Sequence, residues 1–267
     1  MNRRFRELDH QFGDLVVALT RSAAPLGTPW TEPTVAVVIP AYNEADGIVE
    51  VLEELPSTLA GYRVEPIVVV DGGTDNTATV ARAAGYITLV HPVNRGQGDA
   101  LRTGFGHALE LGAEIVMTMD ADGQHRPDQM IDLITPIVND TADYVQGSRF
   151  LGEYDDAGGA RDLGIRGFTR LINAVSHAGI TDCTNGFRAI RAKSLAMMRL
   201  AEPRFSAPEI IIEASRAGLR MTEVPVHIRS RSYGESKKPK RLAYPLGFLG
   251  VIARTARRDG LGRPFSL

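Results

Sequence analysis

Hydrophobic positions along the middle of the chain follow two alternating patterns. Short continuous apolar runs, rich in valine and isoleucine, predict buried strands at 34–40, 65–71, 86–91, 114–120 and 142–148. Between these runs, apolar residues recur every three or four positions. That spacing predicts helices at 48–59, from 71 to about 84, at 100–111 and at 127–138. Strand–helix alternation is typical of an α/β fold, a mostly parallel sheet with helices on both faces.

Polar or glycine-bearing segments follow each predicted strand. They read PAYNEADG, DGGTDNT, HPVNRGQGDALRTG, DADGQH and GSRF in chain order. Each could be ordinary turn chemistry. Ligands of parallel α/β sheets bind outside the carboxyl ends of the strands, so five such segments at one edge predict a shared site.

The segment after the fourth strand carries two carboxylates two residues apart, Asp120 and Asp122. In a strand, residues at this spacing point to the same side, where like charges repel unless a cation lies between them. Oxygen ligands suit Mg²⁺ or Mn²⁺. The alternative is a polar loop without a ligand.

Composition narrows the class of protein. The net charge of −2 over 267 residues does not favour a nucleic-acid partner. A single cysteine, Cys183, allows no internal disulfide and favours a reducing, cytoplasmic location. No apolar run reaches the ~18 residues of a membrane-spanning helix. Residues 5–19 predict an amphipathic helix, and residues 21–33 predict a linker. The sequence indicates no oligomeric state.

Two common nucleotide-binding motifs do not account for the glycines. The chain lacks the G-x-x-x-x-G-K-[ST] of a P-loop, and Gly96, Gly98 and Gly104 do not form G-x-G-x-x-G. Glycines at a helix start still let backbone N–H groups approach an anion, and a tight turn is the alternative.

These motifs together resemble the inverting glycosyltransferases of family 2. VVIPAYNEADGI, the acidic second loop, NRGQGDALRTG and MDADGQH occur in that family's order. GSRF, DCTNGFRAI and the R-x-x-G-x-S-K at 231–237 are most similar to the polyprenyl-phosphate sugar synthases within it. The resemblance implies a GT-A fold over about 34–230. Residues 1–33 and 231–267 would be appendages, the second holding the end of the acceptor loop and a basic helix.

The resemblance also implies roles for individual residues. A nucleotide-sugar donor would be bound by Pro40, Tyr42, Glu44, Asp71, Asp75, Arg95 and Gly96. The second loop is one residue shorter than usual, so whether Asp71 or Asp75 reads the base stays open. Asp120, Asp122 and Gln124 would hold the metal on the diphosphate, with Asp122 as the essential ligand. That metal would act as a Lewis acid on the departing nucleoside diphosphate.

Missing motifs suggest the kind of acceptor. Family members that glycosylate a hydroxyl usually carry a Glu-Asp pair, and processive synthases carry Q-x-x-R-W; this chain has neither, and its one tryptophan is Trp30. A phosphate oxygen needs positioning rather than a general base. The cations proposed to bind it are Arg149, Arg188, Arg231 and Lys237.

Two polar residues near Arg188 can be interpreted in two ways, and three histidines are expected to have no catalytic role. Asp182 and Asn185 either orient Arg188 or cap a turn. The histidines His91, His125 and His177 lack ligand spacing and are expected to be structural.

Two departures from the family pattern lie near the proposed site. Gln97 replaces a frequent lysine, and Pro208 precedes the helical glutamate Glu209 in place of leucine or methionine.

The end of the chain is basic and partly apolar. From Ile228 onward it has ten lysines and arginines against two acids, around an apolar stretch at 242–253. This stretch either lies in the interface of a membrane, giving peripheral contact at the inner face, or packs on the domain as a helix.

The expected reaction is metal-dependent transfer of a hexose, with inversion, from a donor of the GDP-mannose or UDP-glucose type to a polyprenyl phosphate. The rival with the same fold is transfer to a soluble acceptor. A non-catalytic binding protein is disfavoured by the intact D-A-D-G-Q. A nucleotidyltransferase is disfavoured because PAYNEADG lacks a lysine.

Overall fold

An eight-stranded sheet forms the centre of the protein. The computed structural model describes residues 28–155, 159–230 and 243–258. The strands are β1 (Thr34–Ala41), β2 (Thr58–Leu59), β3 (Tyr62–Asp71), β4 (Ile87–His91), β5 (Ile115–Thr118), β6 (Tyr144–Tyr154), β7 (Arg188–Arg191) and β8 (Met221–Ile228).

The strand order places β1 near the middle of the sheet. The sheet runs β3-β1-β5-β7-β6-β8, with both β2 and β4 paired to β3. β1 pairs in parallel with β3 and β5, and β4 is parallel to β3. β7 is antiparallel to both of its neighbours, and the short β2 is antiparallel to β3. The prediction of a mostly parallel sheet is therefore confirmed.

Helices cover both faces of this sheet. They are α1 (Ile48–Glu53), α2 (Thr77–Ala83), α3 (Gln97–Glu110), α4 (Met130–Val138), α5 (Gly159–Ser176), α6 (Ala192–Leu195), α7 (Ser206–Arg216) and α8 (Ala243–Arg257). A 3₁₀ turn, Pro127–Gln129, leads into α4.

Alternation along β1 produces the two cores. Val35, Val37 and Ile39 pack with α1, α2 and α4 on one face, whereas Ala36 and Val38 pack with α3 and α5–α8 on the other. Because successive side chains of a strand point to opposite faces, a strand buried on both sides reads as a continuous apolar run. That is the pattern from which β1 was predicted.

The fourth predicted strand is shorter than expected. β5 ends at Thr118, so Asp120 and Asp122 lie in the turn beyond it and not on the strand. The strand period is therefore the wrong reason for their proximity, although both carboxylates reach the same cavity.

Several predicted features fall outside the described residues. The helix at 5–19, most of the linker at 21–33 and the R-x-x-G-x-S-K segment belong to this group. The domain boundary near residue 230 stays a prediction. Within the described part of the chain, no helix combines the length and apolar character needed to cross a membrane.

Candidate active site

A cavity of about 340 Å³ opens at the carboxyl ends of β1, β3 and β5. The sequence-predicted residues that line it are Pro40, Tyr42, Glu44, Asp71, Gly96, Asp120, Asp122, Gln124 and Arg188. Asp75, Arg95 and Arg149 do not line it. The expected convergence of loops at one sheet edge is thus present, and it brings predicted donor, metal and acceptor residues together.

Asp71, the last residue of β3, anchors the glycine-rich turn before α3. Its Oδ1 accepts from the backbone N–H of Arg95 at 2.9 Å, and its Oδ2 accepts from that of Gly96 at 2.7 Å. The Nδ1 of His91 lies 2.7 Å from the same carboxylate. Burial alone would raise the pKa of Asp71, but these hydrogen bonds outweigh it and hold the pKa below its ordinary value.

Asp75 joins two loops of the donor side. Its Oδ2 accepts from the N–H of Ala45 at 3.0 Å, and its Oδ1 accepts from the Thr77 hydroxyl at 2.6 Å. The N–H of Glu44 in turn donates to the Thr77 hydroxyl oxygen at 2.9 Å. Asp75 therefore positions the PAYNEADG loop from behind, while Asp71 faces the cavity.

The two carboxylates that follow β5 are held in different ways. Asp122 is buried, and its Oδ1 accepts from the N–H of Gln124 at 3.2 Å. Asp120 accepts from the Gln97 amide at 3.3 Å. A Cβ on Gly186 would lie only 2.9 Å from the Oδ1 of Asp120, so this carboxylate rests directly against a backbone.

His125 and Gln124 fix the turn itself. The N–H of Asp120 donates to the Nδ1 of His125 at 3.1 Å, so the other ring nitrogen carries the proton and donates to the Asn185 amide oxygen, also at 3.1 Å. Gln124 pairs with Arg229 twice. Its side-chain Nε2 donates to the backbone carbonyl of Arg229 at 3.0 Å, and its backbone carbonyl accepts from the backbone N–H of Arg229 at 2.9 Å. His125 is structural, as expected.

The donor set around the turn suits a divalent cation. No lysine or arginine within residues 28–155, 159–230 and 243–258 pairs with Asp120, whose negative charge therefore faces the cavity uncompensated. No group of three histidine, cysteine or acidic ligands gathers among those same residues. Mg²⁺ and Mn²⁺ sites of one or two carboxylates are usually completed by water and substrate phosphates. The Gln124 Nε2 is already engaged, which leaves only its Oε1 for a cation.

Arg188, the first residue of β7, aims a buried guanidinium at the cavity. It is only 2 % exposed, and its Nε donates to the Gln146 Oε1 at 2.8 Å. The Tyr144 hydroxyl donates to the same oxygen at 2.5 Å, and burial raises the pKa of Tyr144 to about 12. The Nη2 of Arg188 has no hydrogen-bond partner within the described chain. A buried cationic donor left unpaired is costly, so this nitrogen calls for a partner that the described residues do not supply.

Arg149 forms a buried ion pair instead of facing the cavity. Its Nε donates to the Asp182 Oδ2 at 2.6 Å, and its Nη2 donates to the Thr184 hydroxyl at 3.2 Å. The other oxygen of Asp182 accepts from the Thr184 N–H at 3.1 Å, which is a turn cap. Of the two interpretations of Asp182, orientation of Arg188 is wrong and turn capping is confirmed. Arg231 and Lys237 lie outside the described residues.

Sequence reasoning missed one wall of the cavity. Residues 204–207, at the end of the loop between α6 and α7 and in the first turn of α7, line it together with Asn94 and with Phe248 of α8. Arg204 donates to the Asn94 Oδ1 at 3.2 Å, and Phe205 adopts a left-handed backbone with φ of 56°. A positive φ on a phenylalanine is unusual and marks a constrained position. No local motif signals it, because its partners are distant in sequence.

Comparison with known proteins supports the same interpretation. The family model described as "Glycosyl transferase family 2" matches residues 36–197, more than half of the chain. The chain belongs to glycosyltransferase family 2. The fold, the enzyme class and the family predicted from the motifs are thereby confirmed.

Curated relatives of this family 2 glycosyltransferase act on lipid phosphates by name. A UDP-N-acetylglucosamine–dolichyl-phosphate N-acetylglucosaminyltransferase of Methanococcus voltae is 30% identical, over 71% of this chain and 83% of its own. An undecaprenyl-phosphate mannosyltransferase of Micrococcus luteus is 32% identical, over 76% of this chain and 86% of its own.

A solved structure shows the same fold. Glucosyl-3-phosphoglycerate synthase from Mycobacterium tuberculosis, in complex with Mn²⁺, UDP and phosphoglyceric acid, superposes with a TM-score of 0.66. It shares 20% sequence identity, and the match covers 90% of this chain and 89% of that one.

Proposed function

We propose that this glycosyltransferase moves a hexose, with inversion, from a nucleotide sugar of the GDP-mannose or UDP-glucose type to a polyprenyl phosphate. The observation that carries the proposal is the buried Arg188. Its buried Nη2 has no hydrogen-bond partner within the described chain, and Arg188 lines the cavity that also contains Asp120 and Asp122. One cavity thus combines acidic groups for a metal–diphosphate with a cationic group for a second anion.

The loops that follow β1, β3 and β4 would bind the nucleotide-sugar donor. Pro40, Tyr42 and Glu44 would bind the base and ribose. Asp71 lines the same cavity. Asp71 also fixes the backbone N–H of Gly96 at the start of α3. Mg²⁺ or Mn²⁺, bound by Asp120, Asp122 and Gln124, would stabilise the charge of the departing nucleoside diphosphate.

The acceptor half needs no general base. A phosphate monoester is ionised at neutral pH and attacks once it is held in line, so cations that orient it are sufficient. Arg188 supplies a rigid fork within the cavity, and Arg231 and Lys237 are proposed to complete the site from the neighbouring segment. Arg149 acts indirectly through Thr184, which lines the cavity. The Gln124–Arg229 pairing holds the entrance of that segment beside the carboxylate turn.

The names of curated relatives support a polyprenyl phosphate as the acceptor. A solved structure supports a second candidate, a soluble phosphorylated acceptor. The Micrococcus luteus relative is named for undecaprenyl phosphate. The Mycobacterium tuberculosis structure contains the small acceptor phosphoglyceric acid. Transfer to a soluble phosphorylated acceptor is therefore the alternative, and it uses the same anion-binding cations.

Peripheral membrane contact is proposed for the basic tail. α8 packs on the domain through Phe248, Val251 and Ile252, as the packed-helix interpretation expected. Leu246 and Leu249 remain exposed on its outer side. With Lys237, Lys238, Lys240 and Arg241 just before them, they would form a surface for anionic lipid. Each basic residue contributes about 1 kcal/mol near such a surface, and salt screens it.

Separate variants test the two halves of the site. Asp122→Asn should abolish transfer and weaken binding of UDP or GDP in the presence of Mn²⁺, with the thermal unfolding midpoint little changed. Arg188→Lys keeps the charge but loses the fork, so it should raise the KM for the acceptor and leave donor binding intact. Full transfer in EDTA would refute the metal role. A change in donor binding alone for Arg188→Lys would move this arginine to the donor half.

A further inference from the structure

The helix α8 contacts the loop between α6 and α7, which contributes Arg204 and Phe205 to the cavity. Glu202, in that loop, is buried and pairs with Arg254 of α8 and with Arg258, the residue directly after α8. The Arg254 Nη2 donates to its Oε2 at 2.6 Å, and the Arg258 Nη2 donates to its Oε1 at 2.9 Å. The Nη1 of Arg258 also pairs with the buried Glu209 of α7. Two carboxylates and two guanidiniums thus join α8, α7 and the loop.

Glu209 fixes the backbone of the same loop. Its Oε1 accepts from the N–H of Ala201 at 2.8 Å, and its Oε2 accepts from the N–H of Glu202 at 3.0 Å. Burial raises the pKa of Glu209, an effect only partly offset by these hydrogen bonds and by Arg258. The backbone before Pro203 is therefore tied both to α7 and, through side chains, to α8.

The loop in turn closes onto the start of α3. The carbonyl of Pro203 accepts the N–H of Gly98 at 2.8 Å and lies 3.4 Å from the N–H of Asp99. A Cβ on Gly98 would lie 2.0 Å from the Glu202 carbonyl, and one on Gly96 would lie 2.3 Å from the Pro203 carbonyl. Only glycine permits this approach, so Gly96 and Gly98 are required by the close packing of the loop on α3.

A second contact runs parallel to the first. A Cβ on Gly247 of α8 would lie 2.3 Å from the ring of Phe205, so helix and ring are in direct contact. The neighbouring Phe248 is buried, lines the cavity and packs on the Phe168 ring at 4.6 Å between centroids. Both contacts place α8 directly behind the residues that shape the cavity.

We infer that Glu202 is a positioning residue for glycosyl transfer: clamped by Arg254 and Arg258, it sets the 201–205 loop against the glycine-rich start of α3. This inference rests on the proposed function for the ligand that the cavity binds. The clamp acts through backbone hydrogen bonds, so its loss loosens the donor side of the cavity. Acceptor binding at Arg188, which β6 residues orient, is not affected.

The test compares alanine substitutions of two arginines of α8. Arg254→Ala removes one of the two arginines that clamp Glu202, and its side chain is 60% exposed, so the fold is expected to persist. Arg257→Ala, on the exposed side of the same helix, is the matched control. Amide hydrogen exchange of Gly98 and Asp99 is measured without ligand, and binding of UDP and GDP is measured with Mn²⁺.

Arg254→Ala should speed exchange at Gly98 and weaken nucleoside diphosphate binding, and raise the donor KM, by roughly two- to thirtyfold. Arg254→Lys should restore part of the loss, and the KM for the acceptor should not move. Unchanged exchange at Gly98, or an equal change in Arg257→Ala, would overturn the inference. If the wild-type chain binds neither UDP nor GDP, the proposed function fails, while the exchange comparison still decides the role of Glu202.

Discussion

Replacing Gly186 by alanine tests whether the Asp120 carboxylate must stay where the structure places it. The new Cβ would lie 2.9 Å from Oδ1, 3.1 Å from Oδ2 and 3.2 Å from the carboxyl carbon of Asp120. Ordinary contact at such a carbon begins at 3.4 Å, so the carboxylate has to move by 3.4 − 2.9 = 0.5 Å. Gly186 does not need a positive φ, and the backbone therefore accepts alanine.

The displacement is small for folding but large for coordination. Metal–ligand distances are held within about 0.2 Å, and disturbing the surroundings of a metal ligand typically costs about 10–100-fold in affinity or activity. That range corresponds to about 1.4–2.7 kcal/mol of lost stabilisation. Transfer by Gly186→Ala should fall by this factor, and its Mn²⁺ requirement should shift to higher concentration.

The assay is a titration of transfer activity against Mn²⁺, with thermal unfolding as the check on the fold. Gly106→Ala is the matched control, since a Cβ there meets no atom within 4 Å and alanine favours a helix interior. Wild-type Mn²⁺ dependence in Gly186→Ala would show that the position of the Asp120 carboxylate does not matter for metal binding. An equal loss in Gly106→Ala would show that the effect is not specific to that carboxylate.

Three further predictions concern other parts of the molecule. Asp71 has a depressed pKa in the folded chain, so its stabilisation is present above the ordinary value of 3.8 and is lost as pH falls through the lower folded value. The stability difference between wild type and Asp71→Asn should therefore shrink in acid; a difference independent of pH would contradict this. Gln146→Met removes the acceptor of the Arg188 Nε and should raise the acceptor KM, with UDP and GDP binding unchanged; weaker nucleotide binding would contradict it. Burial raises the pKa of the Cys183 thiol to about 11, so a thiol reagent should label it only after unfolding by denaturant, and rapid labelling of the native chain would contradict it.

The core of the sheet was predictable because its signal is local. β1 and β3 are buried on both faces, and their apolar runs, 35–39 with a single alanine and 67–70, leave little alternative to a strand. The helix at 48–59 proved shorter, with α1 ending at Glu53, and the helix at 100–111 begins earlier, at Gln97. Caps and glycines blur such ends, since Gly96 precedes α3 with a positive φ of 107°.

Elements stabilised by distant partners were not predicted. β7 has only four residues, RAIR, and becomes a strand because β5 and β6 flank it on both sides. β8 contains Pro225 and lies at the edge of the sheet, where proline is tolerated. α5 presents glycines and arginines among its apolar residues, which weakens the helical period.

The site divides in the same way. Residues at the strand ends, such as Asp71 and Asp122, could be identified from topology and motif. That Asp71 also anchors the backbone before α3 could not be predicted, because this contact depends on where Gly96 lies in space. The Glu202 cluster joins residues about fifty positions apart, and the ion pair of Arg149 with Asp182 joins residues 33 positions apart.

Glycosyl transfer to a lipid phosphate is tested most directly by following a labelled sugar into the lipid phase. The chain is incubated with Mn²⁺ and vesicles containing undecaprenyl phosphate, and labelled GDP-mannose and UDP-glucose are supplied in turn, with and without 3-phosphoglycerate. One donor should give a labelled, acid-labile glycosyl phosphate in the vesicle fraction, and Arg188→Lys should raise the lipid concentration required. Label that passes only to 3-phosphoglycerate, with none in the vesicles, would contradict it.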